Sequence, residues 1–263
     1  MIGRIAALYR HPIKGFTPES MDAVLLAAGA HFPGDRLFAV EDGPSGFDPA
    51  APQHIPKMRF TVLAKIPELA RARTLYDDET GDLSVTADGG PPFFGRLTTP
   101  AGRAGFERWL AEFLEEAAPE DSYGPLRVIE APPGHRFTDS RKGFVSILNL
   151  DSVRDLEQRL GRPVDPARFR ANVQVEGWGA WREYGLEPGG RLRLGGAELS
   201  LMADIDRCRA THVDPWAGVR DIDMVGTLNA EYGHICCGVY AEVLQGGVAA
   251  VGDAASLPQG GAS

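Results

Sequence analysis

Cysteine is nearly absent from this chain, with three among 263 residues and two of those adjacent. So few thiols cannot build a disulfide framework, and the expected setting is a reducing cytoplasm. Long apolar runs are missing as well. No stretch approaches the ~18 residues that a membrane-spanning helix needs, so no integral membrane protein is expected. Met1 to Tyr9 is too short, and too soon followed by His11-Pro12, to read as a secretory signal. Basic residues are outnumbered, 27 Lys and Arg against 36 Asp and Glu, for a net charge of −9. No basic run offers a footprint for nucleic acid, and an anionic membrane would repel such a chain; neither is an expected partner. Familiar catalytic motifs are also missing. The chain has no phosphate loop, no G-x-G-x-x-G turn, and no H-E-x-x-H, G-x-S-x-G or C-x-x-C.

What is abundant is turn-forming residues. Gly 32 and Pro 20 make up about a fifth of the chain, a load that favours short strands. Short apolar or alternating runs at Ile2–Tyr9, Ala23–Leu26, Leu37–Glu41, Met58–Ala64 and Leu83–Thr86 predict strands, with a hairpin turn at Asp78–Gly81. Gly43–Pro56 reads as a loop. Phe106, Trp109, Leu110, Phe113 and Leu114 recur at helical spacing, with Glu107, Glu112 and Glu115 off the stripe and Pro119 as the stop. A second helix is signalled by Ser152 with Asp155 as a capping-box-like pair, Val153, Leu156 and Leu160 inward, and Gly161 closing it. A third runs from about Ile222 to Tyr232. Further strands are predicted at Asn172–Glu176, Arg191–Leu194, Glu198–Met202, Val239–Leu244 and Val248–Val251, the last pair joined as a hairpin through Gln245-Gly246-Gly247. The pattern predicts a β-rich, mixed α+β chain with a few short helices and a barrel, because many short strands need closed edges. The length suits one large domain or two small ones, with a soft boundary near residues 95–125.

The most informative stretch is Asp206-Arg207-Cys208-Arg209-Ala210-Thr211-His212-Val213-Asp214-Pro215-Trp216-Ala217-Gly218. Cations beside a thiol favour its thiolate, a soft metal ligand or a nucleophile. Local physics leaves this open, since a lone cysteine is as often a small core residue. Cys208, His212, His234 and Cys236 or Cys237 have the donor types for zinc, but C-x3-H and H-x-C-C are not common zinc spacings. His234 is expected as a hydrogen-bonded strand-end residue and Cys237 inside the barrel. Asp204, Asp206, Asp221 and Asp223 are expected as a solvated acidic face. Trp109, Phe113, Trp178 and Trp181 are expected as core or pocket wall.

Arg207-Cys208-x-x-Thr211-x-Val213-Asp214-Pro215-x-x-Gly218 resembles the signature of the MOSC domain. Upstream, Pro163-Val164-Asp165-Pro166-x-Arg168-Phe169-Arg170-x-Asn172 resembles the family's R-F-R-x-N segment, and downstream Cys237-Gly238-Val239-Tyr240 and Val251-Gly252-Asp253 resemble its closing strands. Tyr9-x-x-Pro12-Ile13-Lys14-Gly15 and Gly34-Asp35-Arg36-Leu37-Phe38 resemble the accompanying N-terminal β-barrel domain. The arrangement is similar to the amidoxime-reducing branch of the family. The resemblance implies an N-terminal β-barrel domain at 1–95, a connecting helix at 96–125, a MOSC β-barrel core at 126–256 and a flexible tail at 257–263.

The resemblance also implies a pterin-based molybdenum cofactor, with Cys208 as metal ligand and the one catalytic residue, and Arg207 beside it in the cofactor site. By the same resemblance Lys14 and Arg36 hold the cofactor phosphate, and Arg170 and Asn172 face the pterin. Arginine suits bidentate phosphate contact, lysine a point charge. Without the resemblance, each of these cations reads as a solvated or salt-bridged surface residue. The implied activity is oxidoreduction of a small molecule, two-electron reduction of N–O bonds in N-hydroxylated bases. No iron–sulfur extension follows Asp253, so electrons are expected from a separate flavin or iron–sulfur protein. The alternative is a carrier that hands on the cofactor, or sulfur as a Cys208 persulfide. Three departures bear on the chemistry. Lys14-Gly15-Phe16 stands where relatives carry a Lys-Ser-Cys-like triplet, Asp206 stands where the amidoxime-reducing relatives have serine, and Gly43–Pro56 lacks their Thr-x-Arg segment.

Overall fold

Strands with one buried face dominate the structure, as the turn-rich composition requires. The computed structural model describes residues 1–118, 124–141, 144–184 and 186–257. The expected helix stop at Pro119 and the tail at 258–263 lie outside these described residues. In chain order the strands are β1 (Ile2–Arg10), β2 (Glu19–Met21), β3 (Ala23–Leu26), β4 (Phe38–Asp42), β5 (Arg73–Tyr76), β6 (Asp82–Thr86), β7 (Phe93–Arg96), β8 (Leu126–Glu130), β9 (Val145–Asn149), β10 (Val173–Glu176), β11 (Arg191–Leu194), β12 (Ala197–Asp206), β13 (Cys236–Gln245), β14 (Gly247–Ala250) and β15 (Ala254–Ser256). The α-helices are α1 (Pro100–Ala117), α2 (Leu150–Leu160) and α3 (Met224–Tyr232).

Seven strands, β1, β10, β9, β13, β12, β11 and β15, pair in that circular order and close a barrel, with β2 appended to β1. Its pairs are antiparallel except β9 with β10, which run parallel across the α2 connection. Inward residues such as Ile5, Leu8, Ile147, Val173, Leu199 and Val239 make its core. The mixed α+β, β-rich barrel architecture read from the sequence is the one observed. Strands β1 and β3 come from the start of the chain yet pair with β10, β15 and β14 near its end.

Outside the barrel, β4 pairs β8, and β5, β6 and β7 form a three-stranded sheet whose first turn is the expected one at Asp78–Gly81. Helix α1 covers a second core. Thr99 caps it by accepting from Gly102 N–H, and Phe106, Trp109, Leu110 and Leu114 form its buried stripe against Phe16, Phe38 and Leu83. A third core lies between α2, α3 and the barrel wall. Cys237 packs there with Val153, Leu156 and Leu228, not within the barrel interior.

Three local expectations are corrected. Met58–Ala64 is not a strand; a 3-10 turn occupies Lys57–Arg59, and Phe60 makes only an isolated bridge to Glu41. Strands β13 and β14 are not a hairpin, because β14 pairs instead with β3 over four residues. Helix α2 is capped by Asn149, whose side chain accepts from Asp151 N–H, while Ser152 is buried and donates to Glu183.

Gly238 sits where β13 passes close to β9 and Arg207. It has φ +86°, and a Cβ there would lie 2.5 Å from the Ile147 carbonyl and 3.1 Å from the Arg207 guanidinium. Gly238→Ala is therefore expected to lower folding stability by about 1–3 kcal/mol, read by urea unfolding. An unchanged midpoint would show that β13 needs no such backbone.

Candidate functional site

Lys14, Arg36, Arg170, Asn172, Arg207 and Cys208 all line one cavity of about 340 Å³. They arrive from separate segments. The chain leaves β1 at Arg10 and turns so that Lys14 N–H donates to Phe38 O at 2.8 Å. Gly15 follows with φ +90°, and a Cβ on it would meet Thr61 O at 2.5 Å, so this backbone demands glycine. The Lys14 ammonium is 7% exposed and donates to Phe137 O at 2.9 Å and to Asp139 at 2.5 Å. Burial pushes its pKa down, against the pull of Asp139.

Arg36 and Arg170 are both held in the left-handed region, at φ 48° and 52°. The Arg36 guanidinium donates to Asp35 and, at 3.2 Å, to the Arg170 carbonyl. Arg170 closes a 3-10 turn, Pro166–Phe169, and donates to Phe16 O at 2.6 Å. Burial first, then Arg36, lower its pKa, yet a guanidinium stays charged at neutral pH. Asp35 accepts from His11 N–H at 2.8 Å. Burial works against its ionisation, but Arg36 and His11 prevail and hold its carboxyl well below the usual range. Burial, Arg36 and Arg170 push the His11 ring down to about 3, so it is neutral at physiological pH.

Cys208 sits two residues beyond β12 and starts a short 3-10 turn, Arg209–His212; its carbonyl accepts from Thr211 N–H at 3.0 Å and Oγ1 at 2.9 Å. The cation at its sulfur is not an adjacent arginine. Lys57 Nζ lies 3.1 Å from Sγ and 3.5 Å from Asp139. Burial opposes the charge on Lys57, but Asp139 and then Cys208 raise its pKa. Arg207 turns to the other side of the chain, donating to Cys237 O at 2.6 Å and Phe169 O at 2.9 Å, and Arg209 is exposed. Asn172 lines the cavity with its amide already engaged: Oδ1 accepts from Ser146 Oγ at 2.8 Å and Nδ2 donates to Tyr9 O at 3.3 Å. It clamps β1, β9 and β10 together.

Lys57 and Asp139 were not legible in the sequence. Asp139 is ringed by protein, although about half of its side chain, 48%, opens to the cavity. Burial resists its ionisation, but Lys14, Lys57 and Arg36 hold the carboxyl well below the usual range. Asp206 is exposed at the cavity wall and accepts from the Cys236 thiol at 3.1 Å. The four acids expected as one solvated face are divided, since Asp221 pairs with Arg162 and Arg168 and Asp223 caps α3. His234 packs among Trp181, Tyr184 and Tyr232, and no cluster of three metal-ligating side chains exists among the described residues. The cavity thus joins one soft sulfur donor to several buried cations. That combination suits an anionic, polar ligand carrying a soft acceptor.

Residues 134–256 match the family described as the MOSC domain, and residues 2–121 match the MOSC N-terminal beta barrel domain. Over 75 residues the chain is 33% identical to mitochondrial amidoxime-reducing component 1 of Mus musculus, covering 28% of this chain and 21% of that protein. The matched stretch is therefore about a fifth of that relative's length. Among solved structures, the YuaD protein from Bacillus subtilis is similar with a TM-score of 0.44 and 15% identity, covering 97% of this chain and 94% of that one. YiiM from Geobacillus stearothermophilus gives a TM-score of 0.35 and 20% identity, covering 45% and 56%.

The loop that carries Cys208 is pinned from below. Arg168, 3% exposed, donates to both carboxylate oxygens of Asp221 at 2.8 and 2.9 Å and to the His212 carbonyl at 3.2 Å. Burial opposes ionisation of Asp221, but Arg168 and Arg162 hold its pKa below the usual value. A depressed carboxylate contributes stability above its ordinary pKa and loses it as pH falls through the folded-state value. Arg168→Met should cost about 3 kcal/mol near pH 7, and the gap to the parent protein should narrow at a pH below the ordinary aspartate value of 3.8, as the lowered Asp221 carboxylate takes up its proton. Unfolding curves at the two pH values check this; a pH-independent gap would assign the loss to packing alone.

Proposed function

The chain belongs to the MOSC domain family, and from that premise we propose that it binds a molybdenum–pterin cofactor through Cys208 and reduces N–O bonds of N-hydroxylated bases. One observation carries this reading: Cys208 and the cations Lys14, Arg36 and Arg170 face a single cavity although they come from distant segments. The donor set fits the group. A thiolate suits a high-valent soft-accepting metal, and buried lysine and arginine suit a phosphate.

When bound, the cofactor would supply two-electron redox chemistry for the N–O bond, with Cys208 and the cavity cations as the residues that would hold it. The chain's own residues position and select. Cys208 offers the sulfur donor, and Lys57 fixes where that sulfur points. Lys14 and Arg36 offer the cationic end of the cavity, held at that end by Phe137 O and Asp35. Arg170 supplies a second guanidinium whose backbone Arg36 braces. Arg207 and Asn172 line the cavity with side chains already engaged by the backbone, keeping β13 and the β1–β10 seam in place. Reduction of an N-hydroxyl to an amine and water takes two electrons and two protons. The electrons are assigned to a separate flavin or iron–sulfur protein, and the working place to the cytoplasm.

Expression in a host that makes the cofactor tests the proposal. The parent protein should carry near-stoichiometric molybdenum and reduce an amidoxime with an artificial electron donor. Cys208→Ser should stay folded and lose molybdenum and activity, while Lys14→Ala and Arg36→Ala should lower molybdenum content. Retention of both by Cys208→Ser would overturn the assignment, and bound cofactor without turnover would favour the carrier function.

A further inference from the structure

Asp139 occupies a place in the cavity that the proposed function does not use. Its two carboxylate oxygens divide between two ammonium groups: Oδ1 takes Lys14 at 2.5 Å and Oδ2 faces Lys57 at 3.5 Å. Lys57 continues to the Cys208 sulfur at 3.1 Å, so a line of alternating charge runs from the buried end of the cavity to the cysteine. Arg36 and Arg170 add positive charge around it, and Asp35 is already committed to Arg36 and the His11 backbone.

The two sides of this contact are not equally fixed. Lys14 is buried, lies four residues from β1, and keeps a second bond to Phe137 O. Asp139 is half open to the cavity and lies between Glu130 and Val145, where the described residues form neither helix nor strand. A carboxylate across two lysines makes the contacts that two oxygens of a phosphate monoester would make, with less charge.

We infer that Lys14 and Lys57 form an oxyanion seat beside Cys208 for which Asp139 is the built-in competitor, so that the cavity turns away free inorganic phosphate and admits a phosphate monoester carried on a larger ligand. Free phosphate gains only what it takes from Asp139. A larger ligand that also reaches Cys208 and Arg170 gains contacts the carboxylate does not contest, and these drive the exchange. Lys57 thereby becomes a ligand-binding residue, and Asp139 a selectivity residue. The inference rests on the proposed function only for the identity of the larger ligand.

The test is isothermal titration of inorganic phosphate into full-length protein made in a host lacking cofactor synthesis, at constant ionic strength. Asp139→Asn keeps the shape and removes the competing charge, so phosphate should bind at least about tenfold tighter than to the parent. Asp139→Glu should remain weak, and adding Lys57→Met to Asp139→Asn should reverse the gain. Phosphate binding no tighter in Asp139→Asn than in the parent overturns the inference. Asp139→Ala guards against a folding defect peculiar to asparagine, and failure of both variants to fold would make Asp139 a structural requirement and also overturn it. Molybdenum content from a cofactor-making host reads the proposed function separately. Tighter phosphate with no molybdenum leaves the seat standing without the cofactor; molybdenum with unchanged phosphate affinity does the reverse.

Discussion

An unpaired strand edge presents a row of N–H and C=O groups that must find partners, and here the edges of β10 and β15 share one partner, β1. That closure decides where the site forms. Leu8 near the end of β1 lies opposite Val173 at the start of β10, Val173 lies beside Ile147 on β9, and Ile147 lies opposite Val239 on β13. Asp206 at the end of β12 pairs with Cys236 at the start of β13. These strand ends therefore share one mouth of the barrel. Lys14 follows β1, Arg170 and Asn172 precede β10, Asp139 precedes β9, and Cys208 follows β12. Lys14 and Cys208, 194 positions apart, meet there because the register of one sheet leaves them no other place.

On a chain of net charge −9, this mouth concentrates the opposite sign. Taking an ammonium or guanidinium out of water is costly unless charge or hydrogen bonds replace the lost hydration. The replacement is local: Asp35 for Arg36, Phe16 O for Arg170, and Asp139 with Phe137 O for Lys14. Six cations, Lys14, Arg36, Lys57, Arg168, Arg170 and Arg207, then stand against four carboxylates, Asp35, Asp139, Asp204 and Asp206. The surplus is positive and enclosed by low-dielectric walls, where a charge acts more strongly than at the surface. An anionic ligand, as proposed, would complete this balance, while the chain's overall charge repels anions from the remaining surface.

Sequence pattern disclosed the elements better than their pairing. The α1 stripe, the glycine stop of α2, the span of α3 and most barrel strands are local features, and each appears close to where its spacing placed it. Met58–Ala64 has the apolar content of a strand, but Phe60 and Val62 pack beside Phe137 with almost no ladder partner, and burial alone does not make a strand. Gln245-Gly246-Gly247 has hairpin chemistry, yet β14 gains a four-residue ladder with β3, a partner over 200 residues away. Ser152 and Asn149 are both capping residues; Asn149 won because Ser152 is drawn inward to Glu183. The site shows the same limit. Arg207 is next to Cys208 in sequence, but neighbouring side chains in extended backbone point to opposite sides, so the sulfur meets Lys57 instead. A contact across 151 positions leaves no spacing to read.

Backbone strain gives an argument for the site that does not depend on family resemblance. Arg36, Arg170 and Trp181 are the non-glycine residues with positive φ among those described. Such a conformation costs about 1–3 kcal/mol and persists only where surrounding structure enforces it. Strain alone does not mark function, since Trp181 is held by Ser152 and Asp155 away from the cavity. The two arginines differ in that each supports the other. Arg36 donates its guanidinium to the carbonyl of Arg170, and Asp35, which holds Arg36, is itself fixed by the backbone of His11. An arginine in relaxed backbone can reach solvent through its long side chain. Here both are bent inward, and Arg170 is desolvated and close enough to Arg36 for that cation to oppose its charge. Folding alone gains little from bringing like charges together, and the anion proposed to bind here would relieve that opposition.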